Sequence, residues 1–482
     1  QASLAQAGRC CIQSLFARTR ARAFAHSFFS KDKATEQQGR MEQELELEAV
    51  IGFKGLVPSG LILHPDSEHL IFPLGCTIVV RNLMKKKQAF LQGHDNQVNC
   101  IAVSKSGALL ASGQKTFMGF PADAIIWDFE ARRELHRLSL HKVEVKSLSF
   151  SACETYLATL GGQDDNSLVV WKVADGTAIC GTPAYTETAQ CVKFFNTDSY
   201  SIITGGNFHI IVWTFDLHNK KLRPTKVELG QLKRICTNLV LSADDSLAYC
   251  ATQTGDLLEV SVPHKLYRQS MPRQPFSLGI TCTALLPDGD ILCGTGDGTI
   301  ARIGVQGAGA KKVKSRCNVL GGVTSMALTA DGTHFFCGTA QANIYWVDVD
   351  TLTAELRNTC HHEKINCICF PKAFSEVFAT SSISDIRLWN SATRQELLRI
   401  QVPNVECYCI EFMPNGKYIV SGWNDGKVRA FLPQSGKLLY VINDCHKNGV
   451  TALAVTSDNS KIVSGGMEGE VRIWRIDQAT QT

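Results

Sequence analysis

Short runs of alternating apolar and polar residues, each ending on one side-chain register, dominate the chain from residue 44 onward. The clearest is 463–476, VSGGMEGEVRIWRI, where a small-residue turn leads into a strand closing on Trp474. The pattern recurs as ADAIIWDF on Trp127, QDDNSLVVWKV on Trp171, NFHIIVWTF on Trp213 and SDIRLWNS on Trp389. Weaker copies place Arg81, Val260, Ile303, Val347 and Phe431 at the same position. From Arg81 to Trp474 the steps are 46, 44, 42, 47, 43, 44, 42, 42 and 43 residues, so ten units follow one another. Period-two alternation predicts half-buried strands, and the Asp-Gly and Asn-Gly pairs between runs predict tight hairpins. Pro287-Asp288-Gly289, Ala330-Asp331-Gly332 and Pro414-Asn415-Gly416 are such turns at equivalent places.

A repeat of this length built only of strands matches the four-stranded blade of a WD40 β-propeller. The expected fold is therefore all-β, each blade stabilised by stacking on its neighbours. Ten units exceed the usual four to eight blades of one ring. The expectation is one complete seven-bladed ring over 41–355 and about three blades of a second over 356–482. The alternating Glu-Leu-Glu-Leu-Glu-Ala from Glu44 is a candidate strand to close the last blade of the first ring.

Asp165, Asp297 and Asp425 lie six residues before the Trp register. In WD40 repeats such an Asp joins a buried network with a His, a Ser or Thr and the Trp. His94, His141, His362 and His446 stand at comparable unit starts. A buried imidazole or carboxylate needs partners of this kind. His94, Trp127, Asp165, Trp171, Trp213, Asp297, Trp389, Asp425 and Trp474 are accordingly expected to be structural.

Charge changes the picture only at the N-terminus. Residues 1–40 hold seven Lys or Arg and two acids, while the remainder is close to neutral. A neutral body gives no electrostatic reason to expect nucleic acid or membrane as partner, and no apolar run reaches the length of a membrane helix. Residues 1–40 are read as a disordered or non-native leader upstream of Met41, with a mitochondrial transit peptide as the alternative. The 19 cysteines, an odd number spread through predicted strands, suit small buried apolar residues in a reducing cytoplasm.

No motif argues for an enzyme, a cofactor or a metal. Cys360-His361-His362 with Cys367 and Cys369 contains metal-ligand types, but the paired cysteines belong to an alternating strand. Gly294-Thr-Gly296-Asp-Gly298 opens a strand rather than a helix, so it is a hairpin and not a phosphate loop. The insertion 113–121, GQKTFMGFP, is different, because Phe117, Met118 and Phe120 occupy a loop where polar residues are usual. It is either a contact surface or a flap over the blade edge. Trp423 in SGWNDGK, off the register and in a predicted turn, is a second candidate contact.

The stretches LEAVIGFKGLVPSGL, HLIFPLGCT, SGQKTFMGFPADAIIWD, GQLKRI, FSLGITC, QELLRIQVPN and WNDGKVRAF resemble the WD-repeat proteins associated with motile cilia and flagella. They include non-repeat insertions as well as blade motifs. The resemblance implies two tandem seven-bladed propellers in a microtubule inner protein. It further implies that such a protein binds tubulin and neighbouring inner proteins inside the doublets of the ciliary or flagellar axoneme and supports beating. A soluble cytosolic adaptor, either a signalling scaffold or a ubiquitin-ligase substrate receptor, is the alternative.

Overall fold

The computed structural model describes residues 46–305, 311–372 and 374–476; the expected leader over 1–40 lies outside them. Two compact units divide the chain, Gln1–Glu48 and Ala49–Thr482, and the second carries all the architecture that follows.

Every regular element among the described residues is a β-strand. Seven four-stranded antiparallel meanders follow in chain order over 62–92, 98–142, 145–183, 189–226, 236–271, 280–318 and 323–358. Within each, strands pair only with their sequence neighbours. The first strand of every sheet lines a common central cavity of about 580 Å³ to which all seven contribute. Core clusters span adjacent sheets, as where Ile203 and Val212 of the fourth pack with Leu239 and Leu258 of the fifth. Burial between sheets rather than within them holds the array together.

The first and seventh sheets also meet. Leu70 and Phe72 share one cluster with Ala327, Phe336 and Ile344, and Ser59 N–H donates to the Thr324 carbonyl at 3.0 Å. The described part of the alternating segment expected to close the last sheet supplies no strand to it. Residues 46–61 form no strand, and 323–358 supplies all four strands of the seventh sheet, so no place is vacant for a fifth segment. Its fourth strand, Ala354–Asn358, pairs with Ile344–Asp348, which carries this sheet three residues beyond the expected boundary at 355.

Residues 50–61 act instead as a clasp. The Val50 N–H and carbonyl bond the Gln88 side-chain amide at 2.8 and 3.0 Å. Buried Phe53 packs edge-on against Phe72 and donates its N–H to Cys360 Sγ at 3.0 Å. Pro58 and Ser59 then cross the central channel. Ser59 borders the 580 Å³ cavity and Pro58 a second one of about 330 Å³, and Ser59 Oγ accepts from Asn238 Nδ2 on the fifth sheet at 2.9 Å.

Beyond Asn358 the strand Glu396–Phe412, 17 residues long, serves two sheets. It pairs first with Ile383–Asn390 and then with Ile419–Trp423, fusing two meanders into one seven-stranded sheet. A three-stranded sheet over 450–475 follows. Trp389 packs into the cluster joining the first and seventh sheets, so this second group is seated on the junction. A half-buried polar knot reinforces the seat. Thr359 Oγ1 donates to Asn343 at 2.7 Å and accepts from Arg387 and Arg399 at 3.1 and 2.6 Å, while both arginines also bond Glu396.

Candidate docking surface

The tryptophan register exists because each indole N–H is tied to a hydroxyl one strand inward. In the third sheet the chain of bonds is complete. Trp171 Nε1 donates to Thr159 Oγ1 at 2.8 Å, Thr159 meets His141 Nε2 at 2.6 Å, and His141 Nδ1 donates to Asp165 Oδ2 at 2.5 Å. Partial burial pushes the Asp165 carboxyl up, but the bonds from His141 and Ser167 outweigh it and hold it below its usual range. In the second sheet Trp127, Ser112 and His94 repeat the pattern at 2.7 and 2.6 Å, with Gln114 in the carboxylate's place. Trp213 bonds Thr204 alone, at 2.9 Å, because His209 turns its Nδ1 to the Asn207 carbonyl. Trp474 reaches Ser464, which meets His446, both at 2.9 Å.

Three of the expected positions differ. Asp297 is exposed in a hairpin, where it takes the Thr295 hydroxyl at 2.5 Å. Asp425 pairs with Arg429 at 2.5 Å. Their registers carry Ile303 and Phe431, which have no side-chain N–H to anchor, so neither Asp has a His–Trp chain to join. In the seven-stranded sheet the histidine is His361, not His362. It bridges Thr380 and Asp385, both at 2.7 Å, and Trp389 Nε1 donates to Thr380 at 2.7 Å. Asp385 stands four residues before its Trp rather than six. Counting from the histidine would have found it, since 24 residues separate both His141 from Asp165 and His361 from Asp385.

These networks tie the indoles, hydroxyls and most of the ring nitrogens to one another inside the sheets, although His209 Nε2 and His446 Nδ1 have no hydrogen-bond partner among the described residues. Cys360 is buried against Phe53 and Ala342, and Cys367 Sγ donates to the Ile410 carbonyl. Among the described residues, one group of metal-ligand types carried no signal in the sequence pattern: His64, Asp66 and His69. Asp66 holds the turn, accepting the N–H of Glu68 and His69 at 2.8 and 3.1 Å and the His69 ring at 2.7 Å. His64 Nε2 donates to the Gly107 carbonyl at 2.8 Å.

Trp423 is not a surface residue. The strand Ile419–Trp423 continues through it, its ring is fully buried, and its N–H donates to Ser421 at 2.8 Å. The adjacent turn begins at Asn424, so Ser421, Gly422 and Trp423 belong to the strand and not to the turn.

Phe117, Met118 and Phe120 are 65%, 83% and 62% exposed. The backbone explains why they stay outside. Thr116 N–H donates to the Val143 carbonyl at 2.6 Å, Val143 N–H to the Phe120 carbonyl at 3.0 Å and Phe120 N–H to the Phe117 carbonyl at 3.1 Å. Gly119, at φ 88°, supplies the left-handed residue of this turn. The polar backbone is thus satisfied against 142–144 while three large apolar side chains project into solvent. The three form an exposed apolar cluster on one turn, of the kind that suits a contact surface.

Sheet architecture, indole–hydroxyl anchors and an exposed apolar loop define a WD-repeat β-propeller protein. Residues 85–118, 132–172, 397–431 and 436–475 match the WD domain, G-beta repeat family. The chain is 50% identical over 92% of its length to cilia- and flagella-associated protein 52 of Chlamydomonas reinhardtii, covering 72% of that protein. It is 47% identical over 91% of its length to the Homo sapiens protein of the same name, covering 71% of it. WD repeat-containing protein 90 of Mus musculus is more distant, at 23% identity over 89% of the chain and 24% of that protein. The chain belongs to the cilia- and flagella-associated protein 52 family.

Proposed function

We propose that this cilia- and flagella-associated WD protein is a non-catalytic structural component of the axoneme. In this reading it is a microtubule inner protein that binds inside doublet microtubules, contacts tubulin and neighbouring inner proteins, and supports beating. The ten repeats are read as one complete seven-bladed ring and part of a second. The kinship to proteins named for cilia and flagella over more than nine tenths of the chain carries this proposal. The rigid turn presenting Phe117, Met118 and Phe120 supports it, because a permanently docked protein gains affinity from several modest apolar contacts. The seat of the second group of sheets on the junction of the first and seventh fits a load-bearing part.

Stepwise salt extraction of isolated motile axonemes, followed by immunoblotting, tests the proposal. Retention with the doublets after soluble matrix and dynein arms are stripped supports it. Release in the first soluble fraction would indicate the cytosolic adaptor instead.

A further inference from the structure

In the first sheet both partners of the tryptophan register are replaced. Elsewhere the indole lies opposite a residue two positions before the hydroxyl that anchors it. Trp171 faces Leu157 and bonds Thr159, and Trp127 faces Leu110 and bonds Ser112. Arg81 stands opposite Leu70, so the same offset falls on Phe72. A guanidinium takes the place of the indole and a phenyl ring the place of its acceptor. Half-buried Arg81 accordingly bonds no described acceptor within the sheet.

Arg81 borders instead a cavity of about 310 Å³ that shares no lining residue with the central one. Four segments enclose it: the clasp at 50–52, the first sheet, the end of the seventh sheet at Arg357 and Asn358, and the turn 392–395 of the second group. Arg394 and Lys86 line it too, and no Asp or Glu is among the lining residues described. Arg357 is engaged by Glu355 at 2.9 Å, whereas Lys86, like Arg81, has no described acceptor. Burial first, and the nearby Arg394 charge second, pull the Arg81 pKa below the ordinary arginine value. Two guanidiniums therefore border one small space, a costly arrangement for like charges away from bulk water. A dianion offsets both, and its oxygens match the donor forks, whereas a monoanion balances only one.

We propose that this cavity binds a small phosphate-bearing ligand, the phosphate seated on Arg81 and Arg394 with Lys86 beside it and the remainder against Val50 and Ile51. The volume lies at the lower end of ordinary small-molecule sites, which suits a phosphate ester and not a length of chain. Such a ligand bridges the first sheet and the second group, so it also tightens the seat between them. The site stands whether or not the protein resides inside doublets.

Isothermal titration calorimetry of the full chain with inorganic phosphate and phenyl phosphate, in chloride buffer, tests the proposal. Both phosphates bind at one site, and acetate at the same concentration does not. Arg81→Gln weakens phosphate binding at least about tenfold, as loss of a charge-assisted contact in a partly desolvated site requires. K105Q, which removes a cation bordering the central cavity, leaves binding unchanged. Circular dichroism verifies that the variants fold. On the unmodified protein, phosphate slows hydrogen exchange over 77–92 and 390–396 together, a readout that needs no variant. Equal affinity of R81Q and the parent protein, equal binding of acetate, or slowing in only one of the two segments overturns the proposal. So does tighter binding of a phosphoserine pentapeptide than of phenyl phosphate, which would make the cavity a dock for a phosphorylated partner.

Discussion

Replacing Thr159 by Val tests whether the tryptophan register is set by hydrogen bonding or by indole packing alone. The substitution keeps the branched shape and removes one hydroxyl at a fully buried position. That hydroxyl is shared. It accepts from Trp171 Nε1 at 2.8 Å and satisfies His141 Nε2 at 2.6 Å, and both partners are themselves buried. Val therefore orphans two polar groups, each at about 1–3 kcal/mol. The third sheet should lose roughly 2–6 kcal/mol of local stability by that count. Thr204→Val is the internal control, because Thr204 serves only Trp213 and orphans one group. Since sheets of a repeat array open locally, hydrogen-exchange mass spectrometry on peptides over 145–183 is the assay. T159V should raise exchange there by at least about thirtyfold, with T204V giving a distinctly smaller rise over 189–226. Equal effects of the two, or a change below about threefold for T159V, would refute the shared-hydroxyl account.

Three further outcomes follow from the geometry. Trp423→Ala should cost about 3–5 kcal/mol, as expected for emptying a buried tryptophan site, while M118S leaves thermal unfolding unchanged; scanning calorimetry of both separates core from surface. Burial pushes the thiol of exposed Cys153 up, but its bonds with Ser151, Ser199 and Thr155 together outweigh that and bring it down to about 7. Its iodoacetamide alkylation should thus rise with a midpoint near that pH, and a midpoint at the ordinary thiol value of about 8.5 would contradict the assignment. Burial raises the Asp385 carboxyl, yet His361 and Arg387 hold it below the usual range. A depressed folded-state pKa stabilises above the unfolded value of about 3.9 and is lost as pH falls through the folded one. Asp385→Asn should accordingly flatten the acid limb of stability below about pH 4, read by circular dichroism.

The repeat was legible because five tryptophans mark the third strand of their sheets, and the hydroxyl each one seeks lies on the second. Asp297 and Asp425 were misread because their spacing is a property of the hairpin, whereas the network needs a histidine and an indole as well. Period-two alternation over 44–49 says that a strand is affordable, not that an edge is free to receive it. The clasp formed by 50–61 gave no periodic signal at all: Val50 is held by a side-chain amide and Phe53 by a thiol 307 residues away. Trp423 shows the same limit at short range, since a residue beside Asn-Asp-Gly can still point inward. The exposed loop, by contrast, was visible from composition, because three apolar residues around one glycine fit neither a strand nor an ordinary turn. Arg81 reads only as a weak copy of the tryptophan register, and only packing of the sheets brings Arg357 and Arg394 to the same cavity.

Cryo-electron microscopy of doublet microtubules from motile cilia, compared with doublets from cells lacking this protein, tests the central claim most directly. The account predicts a seven-bladed ring with a plugged channel on the luminal wall, its 117–120 loop against tubulin or a neighbouring inner protein, and loss of that density in the deficient cells. Identical luminal density in both preparations, with the protein recovered in the soluble fraction, would contradict it.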